Sequence, residues 1–302
     1  MRVTVTGGAG FVGSHIVRRL LEAKHEVRVV DDLSKGKPEN LEPSTRALLE
    51  IIDAAKADYT KTDAVVHAAA YPDVSANWRD PRERERQWTS NAELTFRLLE
   101  KVGPGRLPFV LLSTCSVYGP GTYVLETTAT RSTSPYAATK IAAEGMVDAY
   151  HEAGRVRGFV VRLVNVVGAR YGHGHLADFV RQAKEGKIHA LDDGRKAKSF
   201  VHAGDVADEI AELLEPKHLD AMGPSSPRCF NITSPTRWSW RDSVAVMQAR
   251  QPKKPIALTW EERRSGWIGD PDDLVVHSQH LGHKPRRSIV AGVNDALADL
   301  GW

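Results

Sequence analysis

The stretch TVTGGAGFVG (Thr4–Gly13) joins the end of a β-branched strand pattern to the start of an amphipathic helix. Gly7, Gly10 and Gly13 stand at G-x-x-G-x-x-G spacing. In a strand–turn–helix unit, one glycine permits the tight turn, one lets the backbone approach a pyrophosphate, and one allows close packing of helix on strand. The N-terminus of the helix then presents free N–H groups to the phosphates. The stretch therefore predicts a βαβ unit that binds a dinucleotide.

Apolar strand patterns and helical patterns alternate from this turn to about residue 166. The strand patterns lie at 2–6, 26–31, 48–53, 64–70, 108–114 and 158–166, and the helical patterns lie at 11–24, 91–102 and 134–153. Such alternation is typical of a parallel sheet with helices on both faces, and near-continuous apolar strands fit burial on both sides. We therefore expect an α/β fold with a Rossmann-type, doubly wound parallel sheet.

The second half of the chain has longer polar connections between its patterns. A short strand pattern at 198–202 is accompanied by helical patterns at 176–187, 203–215, 239–250 and 288–300. We expect 1–166 to form the dinucleotide-binding domain, with 200–222 returning to it. The segments 167–199 and 223–302 are expected to form a smaller C-terminal substrate-binding lobe.

Composition excludes several classes of protein. The 302 residues are 41% hydrophobic and 26% charged, with a net charge of +3, which is ordinary for a globular protein. The basic residues are not gathered into one stripe, so we expect no nucleic-acid partner. We also expect no membrane partner, because no run reaches about 18 apolar residues and no signal-peptide pattern is visible. Cys115 and Cys229 are far apart, so a reducing, cytoplasmic setting without disulfides is expected.

A carboxylate, Asp31, closes the second strand pattern. A carboxylate at this position can accept hydrogen bonds from the adenosine ribose and would repel a 2′-phosphate, which favours NAD over NADP. Asp32 competes with Asp31 for this role. Asp53 closes the third strand pattern, where it can either meet the adenine amino group or cap a turn.

The segment SPYAATK (134–140) places Tyr136 and Lys140 four residues apart, so both lie on one face of a helix. A neighbouring ammonium group favours the phenolate and lowers the phenol pKa from its unperturbed value of about 10. Such a phenolate is a usable general base for a substrate hydroxyl. The hydroxyl-rich strand end LLSTCSVYG (111–119) precedes this pair and supplies Thr114 as its partner.

Together these motifs resemble the extended short-chain dehydrogenase/reductase superfamily, in its NAD-dependent sugar-nucleotide epimerase/dehydratase branch. The segments that carry the resemblance, in the order of that family, are TGGAGFVG (6–13), DDLSKGKPENL (31–41), HAAA (67–70), STCSVYG (113–119), SPYAATK (134–140), RLVNVVG (162–168), KSFVHAGDVA (198–207) and GWIGD (266–270). Within this branch the chain looks most like UDP-galactose 4-epimerases, particularly the short archaeal kind.

The resemblance implies a role for each matching residue. The implied catalytic triad is Thr114, Tyr136 and Lys140. The implied NAD-binding residues are Gly7, Gly10, Phe11, Val12, Gly13, Asp31, Asp32, Leu33, Ser34, Asp53, Ala68, Ala69, Asn91, Ser113, Tyr136, Lys140 and Val164. The implied substrate-binding residues are Thr114, Ser116, Tyr136, Asn165, Lys198, Arg264, Trp267 and Asp270. Lys198 stands where many relatives have a diphosphate-binding Arg, so the charge is kept but the bidentate fork is lost.

The reaction that the resemblance implies is inversion at C4 of UDP-galactose or UDP-glucose, in galactose metabolism. It passes through a transient 4-keto intermediate, with hydride transferred to and from bound NAD. The competing hypothesis is a 4,6-dehydratase or C6 decarboxylase; the dehydratase branch resembles STDEVYG, with an acid and a base where this chain has Cys115 and Ser116. An epimerase of another nucleotide sugar, such as a uronic acid or hexosamine, and a non-catalytic NAD-binding scaffold are the remaining alternatives.

The last expectations concern metals and subunits. His173 and His175 lie in the Gly-rich segment 168–175, but no third ligand stands at a suitable spacing, so a polar loop over the substrate is expected and no metal. The expected partner is a small-molecule nucleotide sugar.

The expected assembly is a homodimer. Relatives commonly pair through two helices per subunit, so the helices at 91–102 and 134–153 are expected to form its four-helix seam.

Overall fold

The computed structural model describes residues 1–73, 80–172, 174–191, 194–195, 197–220, 228–251, 256–261, 274–279 and 285–302. The strands are β1 (Arg2–Thr6), β2 (Glu26–Asp31), β3 (Leu49–Ile51), β4 (Ala64–His67), β5 (Pro108–Thr114), β6 (Gly121–Val124), β7 (Arg157–Leu163), β8 (Asn165–Val167), β9 (Lys187–Leu191), β10 (Ala197–His202), β11 (Cys229–Ile232), β12 (Arg237–Ser239), β13 (Ala257–Glu261) and β14 (Leu274–Val276). The helices are α1 (Phe11–Glu22), α2 (Pro81–Gln87), α3 (Leu94–Val102), α4 (Pro135–Glu152), α5 (His175–Lys184), α6 (Ala203–Leu213), α7 (Pro216–Asp220), α8 (Trp240–Arg250) and α9 (Ile289–Asp299). None of the helices in these ranges is both long and apolar enough to cross a membrane.

The largest sheet has the strand order β11-β7-β5-β4-β1-β2-β3, and every neighbouring pair is parallel. This confirms the predicted Rossmann-type, doubly wound sheet. The chain builds the sheet from β1 through β2 and β3 on one side, and then through β4, β5, β7 and β11 on the other. The connections after β1 and β4 therefore diverge, and a crevice for ligands opens at the carboxyl ends of these strands.

Side chains along β5 alternate between the two faces of the sheet. Val110 and Leu112 belong to the core cluster shared with α1 and α6, whereas Phe109 and Leu111 belong to the cluster shared with α3 and α4. All four are at most 7% exposed. Because burial of each such side chain contributes about 1.5–3 kcal/mol, these two clusters hold the helices on both faces.

A third core cluster lies outside the large sheet and joins α5, α8 and α9 to β8, β9, β10 and β12. It includes Phe179, Met247 and Val293 from the helices, with Ile188 from β9 and Phe200 from β10. A second sheet runs in the order β12-β10-β14-β6, with β8 also pairing with β10, and β9 pairs with β13. Strand β6 of this second sheet lies within 1–166, and the division into two lobes stays a prediction.

Strand β11 departs from the predicted domain boundaries. The segment 223–302 was assigned to the smaller lobe, but Cys229–Ile232 pairs in parallel with β7 at the edge of the large sheet. Phe230 and Ile232 share a core cluster with Val161 of β7, so burial of these side chains places the segment there. Four residues are too few to show this pairing as a sequence pattern.

The predicted strand at 158–166 is divided between two sheets. β7 ends at Leu163, and Asn165–Val167 pairs with β10 as β8. The intervening Val164 donates its N–H to the Ile232 carbonyl (3.5 Å), at the end of β11. This division connects the large sheet directly to the smaller lobe.

Candidate active site

The turn after β1 depends on two glycines. Gly7 has φ of +69°, and a Cβ on it would lie 2.5 Å from the backbone nitrogen of Ala69. A Cβ on Gly13 would lie 2.1 Å from the Gly7 carbonyl oxygen. The Gly7 N–H donates to the Val30 carbonyl (2.8 Å), which ties the turn to β2. Only glycine fits at either position, because any side chain would displace backbone.

The N-terminus of α1 faces the crevice without a side-chain cap. Its N-cap is Gly10, and its first turn contains no acidic residue. The Ser14 N–H makes the first intrahelical hydrogen bond, to the Gly10 carbonyl (3.0 Å), so the earlier N–H groups of Phe11, Val12 and Gly13 lack intrahelical acceptors. Free N–H groups and the positive end of the helix dipole suit a phosphate here.

Asp31 is held against this turn by backbone donors. Its Oδ2 accepts from the Ala9 N–H (3.0 Å) and its Oδ1 from the Leu33 N–H (2.9 Å). Burial raises the pKa of Asp31, and the two N–H donors oppose that rise. Asp32 is exposed and accepts from the Ser34 N–H (2.9 Å). The structure thus brings Asp31, and not Asp32, to the glycine turn.

Three further residues predicted to bind NAD follow β3 and β4. Asp53 is exposed, and its Oδ1 accepts from the Ala55 N–H (2.9 Å), so it caps a turn. Ala68 continues the pairing of β4 with β1 by donating its N–H to the Thr6 carbonyl (3.0 Å). Ala69 follows in close contact with Gly7.

His67, at the end of β4, joins the two sides of the crevice. Thr95 Oγ1 donates to the Asn91 carbonyl (2.6 Å), so His67 Nε2 is the donor to Thr95 (3.2 Å). Thr6 Oγ1 then donates to His67 Nδ1 (2.7 Å), which fixes the neutral tautomer. Burial, and secondarily the charge of Lys140, lower the pKa of His67 to about 3. His67 is not among the site residues predicted from the sequence.

Asn91 lies in a π-helical segment, Trp88–Glu93, that joins α2 to α3. Its Oδ1 accepts from the Tyr71 N–H (2.8 Å), and its Nδ2 donates to the Tyr71 carbonyl (3.2 Å) and to Thr139 Oγ1 (3.0 Å). Thr139 Oγ1 donates in turn to the Tyr136 carbonyl (2.8 Å). Asn91 therefore fixes the connection after β4 against the helix that carries Tyr136, and its contact with NAD stays a prediction.

Thr114 ends β5 and caps the 3-10 turn that follows it. Its Oγ1 accepts from the Ser116 N–H (3.1 Å) and donates to Ser116 Oγ (3.2 Å), and Thr114 is 8% exposed. Cys115 points away from these hydroxyls, with its Sγ donating to the Arg162 carbonyl (3.5 Å). Burial raises the pKa of the Cys115 thiol well above its usual range. Since a thiolate is the reactive form, this buried thiol is poorly suited to act as a nucleophile.

Helix α4 carries the second part of the predicted triad. Its N-cap, Ser134, accepts from the Ala137 N–H (3.1 Å) and sets the start of the helix just before Tyr136. Tyr136 and Lys140 are 9% and 2% exposed. Burial lowers the pKa of Lys140 to about 8, and the charge of Glu144 opposes that shift. Because α4 packs on β5 and on the turn after it, the two elements that carry the predicted triad are neighbours in the fold.

A buried polar network, not predicted from the sequence, lies beneath the end of β5. It comprises Ser113, Glu144, Arg162, Tyr118 and Asn231. The Ser113 hydroxyl donates to Glu144, and Arg162 Nη2 pairs with Glu144 Oε2 (2.6 Å). Arg162 Nη1 donates to the Tyr118 hydroxyl (2.9 Å), which donates to Asn231 Oδ1 (2.7 Å). Ser113, predicted to bind NAD, is therefore engaged with Glu144.

The predicted substrate residues are spread more widely. Asn165 Nδ2 donates to the Ser199 carbonyl (3.3 Å), between β8 and β10. Lys198 is 6% exposed, and its Nζ lies 5.5 Å from the centre of the Trp240 ring. The predicted residues Arg264, Trp267 and Asp270 fall outside the described residues.

His175 corrects one expectation. It begins α5 instead of lying in a polar loop, and its ring lies 4.3 Å from that of Trp240. Its Nε2 is 3.0 Å from Ser243 Oγ, and burial lowers the pKa of His175 to about 3. The His175 ring is therefore part of the core of the smaller lobe. His173 falls outside the described residues.

Comparison with known proteins gives one family throughout. The model of the NAD dependent epimerase/dehydratase family matches residues 3–232. The UDP-glucose 4-epimerase of Streptococcus mutans is 30% identical over 320 residues, covering 95% of this chain and 92% of that protein.

Two solved structures of UDP-glucose 4-epimerases match this chain over its whole length. UDP-glucose 4-epimerase of Thermotoga maritima, solved with UDP-glucose, has a TM-score of 0.82 at 26% identity, covering 100% of this chain and 99% of that one. The Thermus thermophilus UDP-glucose 4-epimerase, solved with NAD, has a TM-score of 0.81 at 26% identity with the same coverage.

Proposed function

This chain belongs to the NAD-dependent epimerase/dehydratase family, and from that premise we propose that it is a UDP-galactose/UDP-glucose 4-epimerase of galactose metabolism. The observation that carries the proposal is the end of β5. It ends in the hydroxyl of Thr114, and α4, which carries Tyr136 and Lys140, packs on β5 and on the turn that follows it. The two following positions, Cys115 and Ser116, carry no carboxyl group.

The residues present fit NAD. The turn at Gly7 and Gly13 leaves no room for side chains, the start of α1 offers uncapped N–H groups, and the Asp31 carboxylate lies beside them. We propose that these groups hold the pyrophosphate and the adenosine ribose, and that Asp31 selects NAD against NADP. When bound, NAD supplies the reversible hydride exchange at the sugar C4.

The catalytic groups divide the proton chemistry among them. Tyr136 takes the proton from the C4 hydroxyl and returns it to the 4-keto oxygen after the flat intermediate has turned over. The Lys140 ammonium, held in a buried position one helical turn away, stabilises the phenolate. Thr114 bridges the substrate hydroxyl and the phenolate and thereby orients the ring.

A dehydratase needs a further acid and base at the end of β5, and the structure favours the epimerase at this point. The Cys115 side chain is 1% exposed and turned away from Thr114, and Ser116 is bonded to Thr114. Two buried carboxylates near this turn are already bound by protein donors. Glu126 Oε1 accepts from the Asn231 N–H (3.0 Å), and Glu144 pairs with Arg162.

The proposal extends to the substrate site, most of which lies in the smaller lobe. We propose that Ser116, Asn165 and Lys198, with Arg264, Trp267 and Asp270, bind the nucleotide sugar. The two-lobe division, with its boundary moved to include β11 in the NAD-binding domain, belongs to the same proposal. So does a cytoplasmic location, which fits the free thiols of Cys115 and Cys229.

We further propose a homodimer through α3 and α4. Trp88 and Phe96 are 53% and 44% exposed on the outer side of this layer, and α4 exposes Ala138, Gly145 and Ala149 on one face. Small residues let a second pair of helices approach closely, and the two aromatic rings would be buried. Light scattering that gives a mass of 33.3 kDa at micromolar concentration would contradict the dimer.

The test of the activity uses the purified protein and no added NAD. UDP-galactose is supplied, and the products are separated by anion-exchange chromatography. We expect UDP-glucose, because the retained NAD is regenerated in each cycle. A 4-keto-6-deoxy product, or a strict need for added NADPH, would refute the proposal. Parallel incubations with UDP-glucuronic acid and UDP-N-acetylglucosamine separate the alternative substrates.

A further inference from the structure

Glu144 joins the two elements that carry the proposed catalytic groups. On α4 it lies one helical turn after Lys140, and its Oε1 accepts from the hydroxyl of Ser113, the residue directly before Thr114. Its two oxygens also accept from Arg162 Nε (3.1 and 3.2 Å). One carboxylate therefore connects the end of β5, the face of α4 that carries the lysine, and β7.

A contribution to stability alone does not explain the buried ion pair between Glu144 and Arg162. The two side chains are 7% and 10% exposed. Taking both charges out of water costs several kcal/mol, and apolar residues of similar volume often give equal or greater stability. The geometry instead favours a role in orientation, because Arg162 extends the connection through the Tyr118 hydroxyl (2.9 Å) to Asn231 on β11.

We propose that Glu144 is a positioning residue of the active site, which holds the turn of α4 that carries Lys140 and the end of β5 that carries Thr114 in one fixed relation. This inference rests on the proposed function. Glu144 acts through its neighbours and does not itself touch substrate.

The charge of Glu144 also acts on Lys140. The titratable and charged groups around this lysine are Tyr136 and Glu144 on α4, His67 on β4, and Arg162 on β7, which is paired with Glu144. His67 is neutral above its pKa of about 3. Glu144 raises the pKa of Lys140 against the effect of burial. Without this carboxylate, Lys140 loses its proton at a lower pH.

The decisive variant is Glu144→Gln, which keeps the shape of the side chain and removes its charge. We expect kcat for UDP-galactose to fall about 10- to 100-fold with KM within about twofold, because the reacting groups are misplaced rather than the substrate lost. The alkaline limb of the kcat–pH profile should move to lower pH by about half a unit or more. The matched control is Glu152→Gln, two turns further along α4 and with a side chain that is 67% exposed, which should leave both quantities unchanged.

A purely structural role gives a different result. If Glu144→Gln lowers the melting temperature but keeps kcat and the pH profile of the wild type, the proposal is overturned. If this variant does not fold, Ser113→Ala removes one hydrogen bond and keeps the ion pair. A fall in kcat at constant KM, with the wild-type amount of retained NAD, then supports the proposal, and wild-type kcat overturns it.

A second readout separates this inference from the proposed function. The ¹³Cε resonance of Lys140, identified by its absence in Lys140→Arg, is titrated in the wild type and in Glu144→Gln. A lower Lys140 pKa in the variant supports the coupling even if UDP-galactose is not a substrate. An inactive wild type refutes the proposed function alone, whereas an unchanged Lys140 pKa refutes the inference.

Discussion

The two sides of the large sheet build their parts of the site by different means. The side proposed to bind NAD, or nucleotide half, comprises β1, β2, β3 and α1 and uses backbone groups and near neighbours, such as the Ala9 N–H on Asp31. The side with the proposed catalytic groups, or catalytic half, comprises β5, β7, β11 and α4 and uses side chains from distant segments, such as Ser113, Glu144 and Asn231. A short motif can encode the first arrangement, whereas the second exists only in the folded chain.

Loss of the Tyr136 hydroxyl should have the largest effect and should fall on the catalytic half alone. We expect Tyr136→Phe to lower kcat by about 10²–10⁴-fold, the usual contribution of a general acid–base group, while the retained NAD stays at the wild-type amount. The measurements are initial rates with UDP-galactose and the nucleotide released on denaturation. Tyr150→Phe, on the same helix but bonded to Glu100, is the control and should keep wild-type rates. A fully active Tyr136→Phe would remove the residue from the mechanism.

Breaking the buried network should have the next largest effect. Arg162→Met leaves the Glu144 carboxylate buried without its partner, so we expect a loss of about 3–5 kcal/mol in the free energy of unfolding in urea. The control is Arg181→Ala, whose pair with Asp178 is about 60% exposed and should contribute less than about 1 kcal/mol. Equal losses in the two variants would show that the catalytic half does not depend on its network.

Acid should weaken the connection between the halves. In the folded state the pKa of His67 is about 3, against 6.5 when unfolded, so below pH 6.5 the unfolded chain binds the additional proton. Stability is therefore lost as the pH falls from 6.5 towards 3, by about 2 kcal/mol at about pH 5. Urea denaturation of the wild type and of His67→Gln, at about pH 5 and above pH 6.5, isolates this contribution. A difference between the two proteins that does not change with pH would contradict the neutral histidine.

The smallest effect is expected for the carboxylate of the nucleotide half. Asp31→Asn keeps an acceptor for the Ala9 N–H but weakens the bonds to the ribose, so we expect NAD affinity to fall about tenfold by calorimetry. Asp32→Asn is the matched control, because Asp32 is exposed and bonds only its own turn in the described structure. If Asp32→Asn weakens NAD binding more than Asp31→Asn, the assignment of the ribose site is wrong.

Much of the nucleotide half was predictable because its information is local. The glycine spacing in TVTGGAGFVG indicated both positions where a Cβ would collide with backbone, at Gly7 and Gly13. The apolar run before Asp31 indicated where β2 ends. On the catalytic side, the spacing of Tyr136 and Lys140 predicted a shared helical face, and the helix is present.

The network escaped prediction because it depends on tertiary packing. Two signals were nevertheless present in the sequence. Arg162 interrupts the apolar strand GFVVRLV, and a charge in a buried strand requires a partner. Glu144 follows Lys140 by one helical turn and so lies on the inner face of α4. That the two side chains meet depends on the packing of α4 over β7, which neither signal specifies.

The short strand β11 escaped prediction for a related reason. Its four residues lack a pattern of their own, and their place beside β7 follows from the burial of Phe230 and Ile232 in the shared core. The same holds for His175, whose Gly-rich neighbours indicated a loop. Its position at the start of α5 depends on an aromatic cluster that includes Trp240.

The contacts of the Glu126 carboxylate imply an order in which parts of the protein fold during synthesis. Glu126 accepts from the Asn231 N–H (3.0 Å), from Ser278 Oγ (2.9 Å) and from the Gln279 N–H (2.9 Å). Chains emerge from the ribosome at about 5–20 residues per second, with N-terminal parts folding first. The glycine turn can thus close while translation continues. The contacts of Glu126 cannot form until residues near the end of the chain have been made. A prematurely terminated product is therefore expected to keep its glycine turn and to lack an organised catalytic centre.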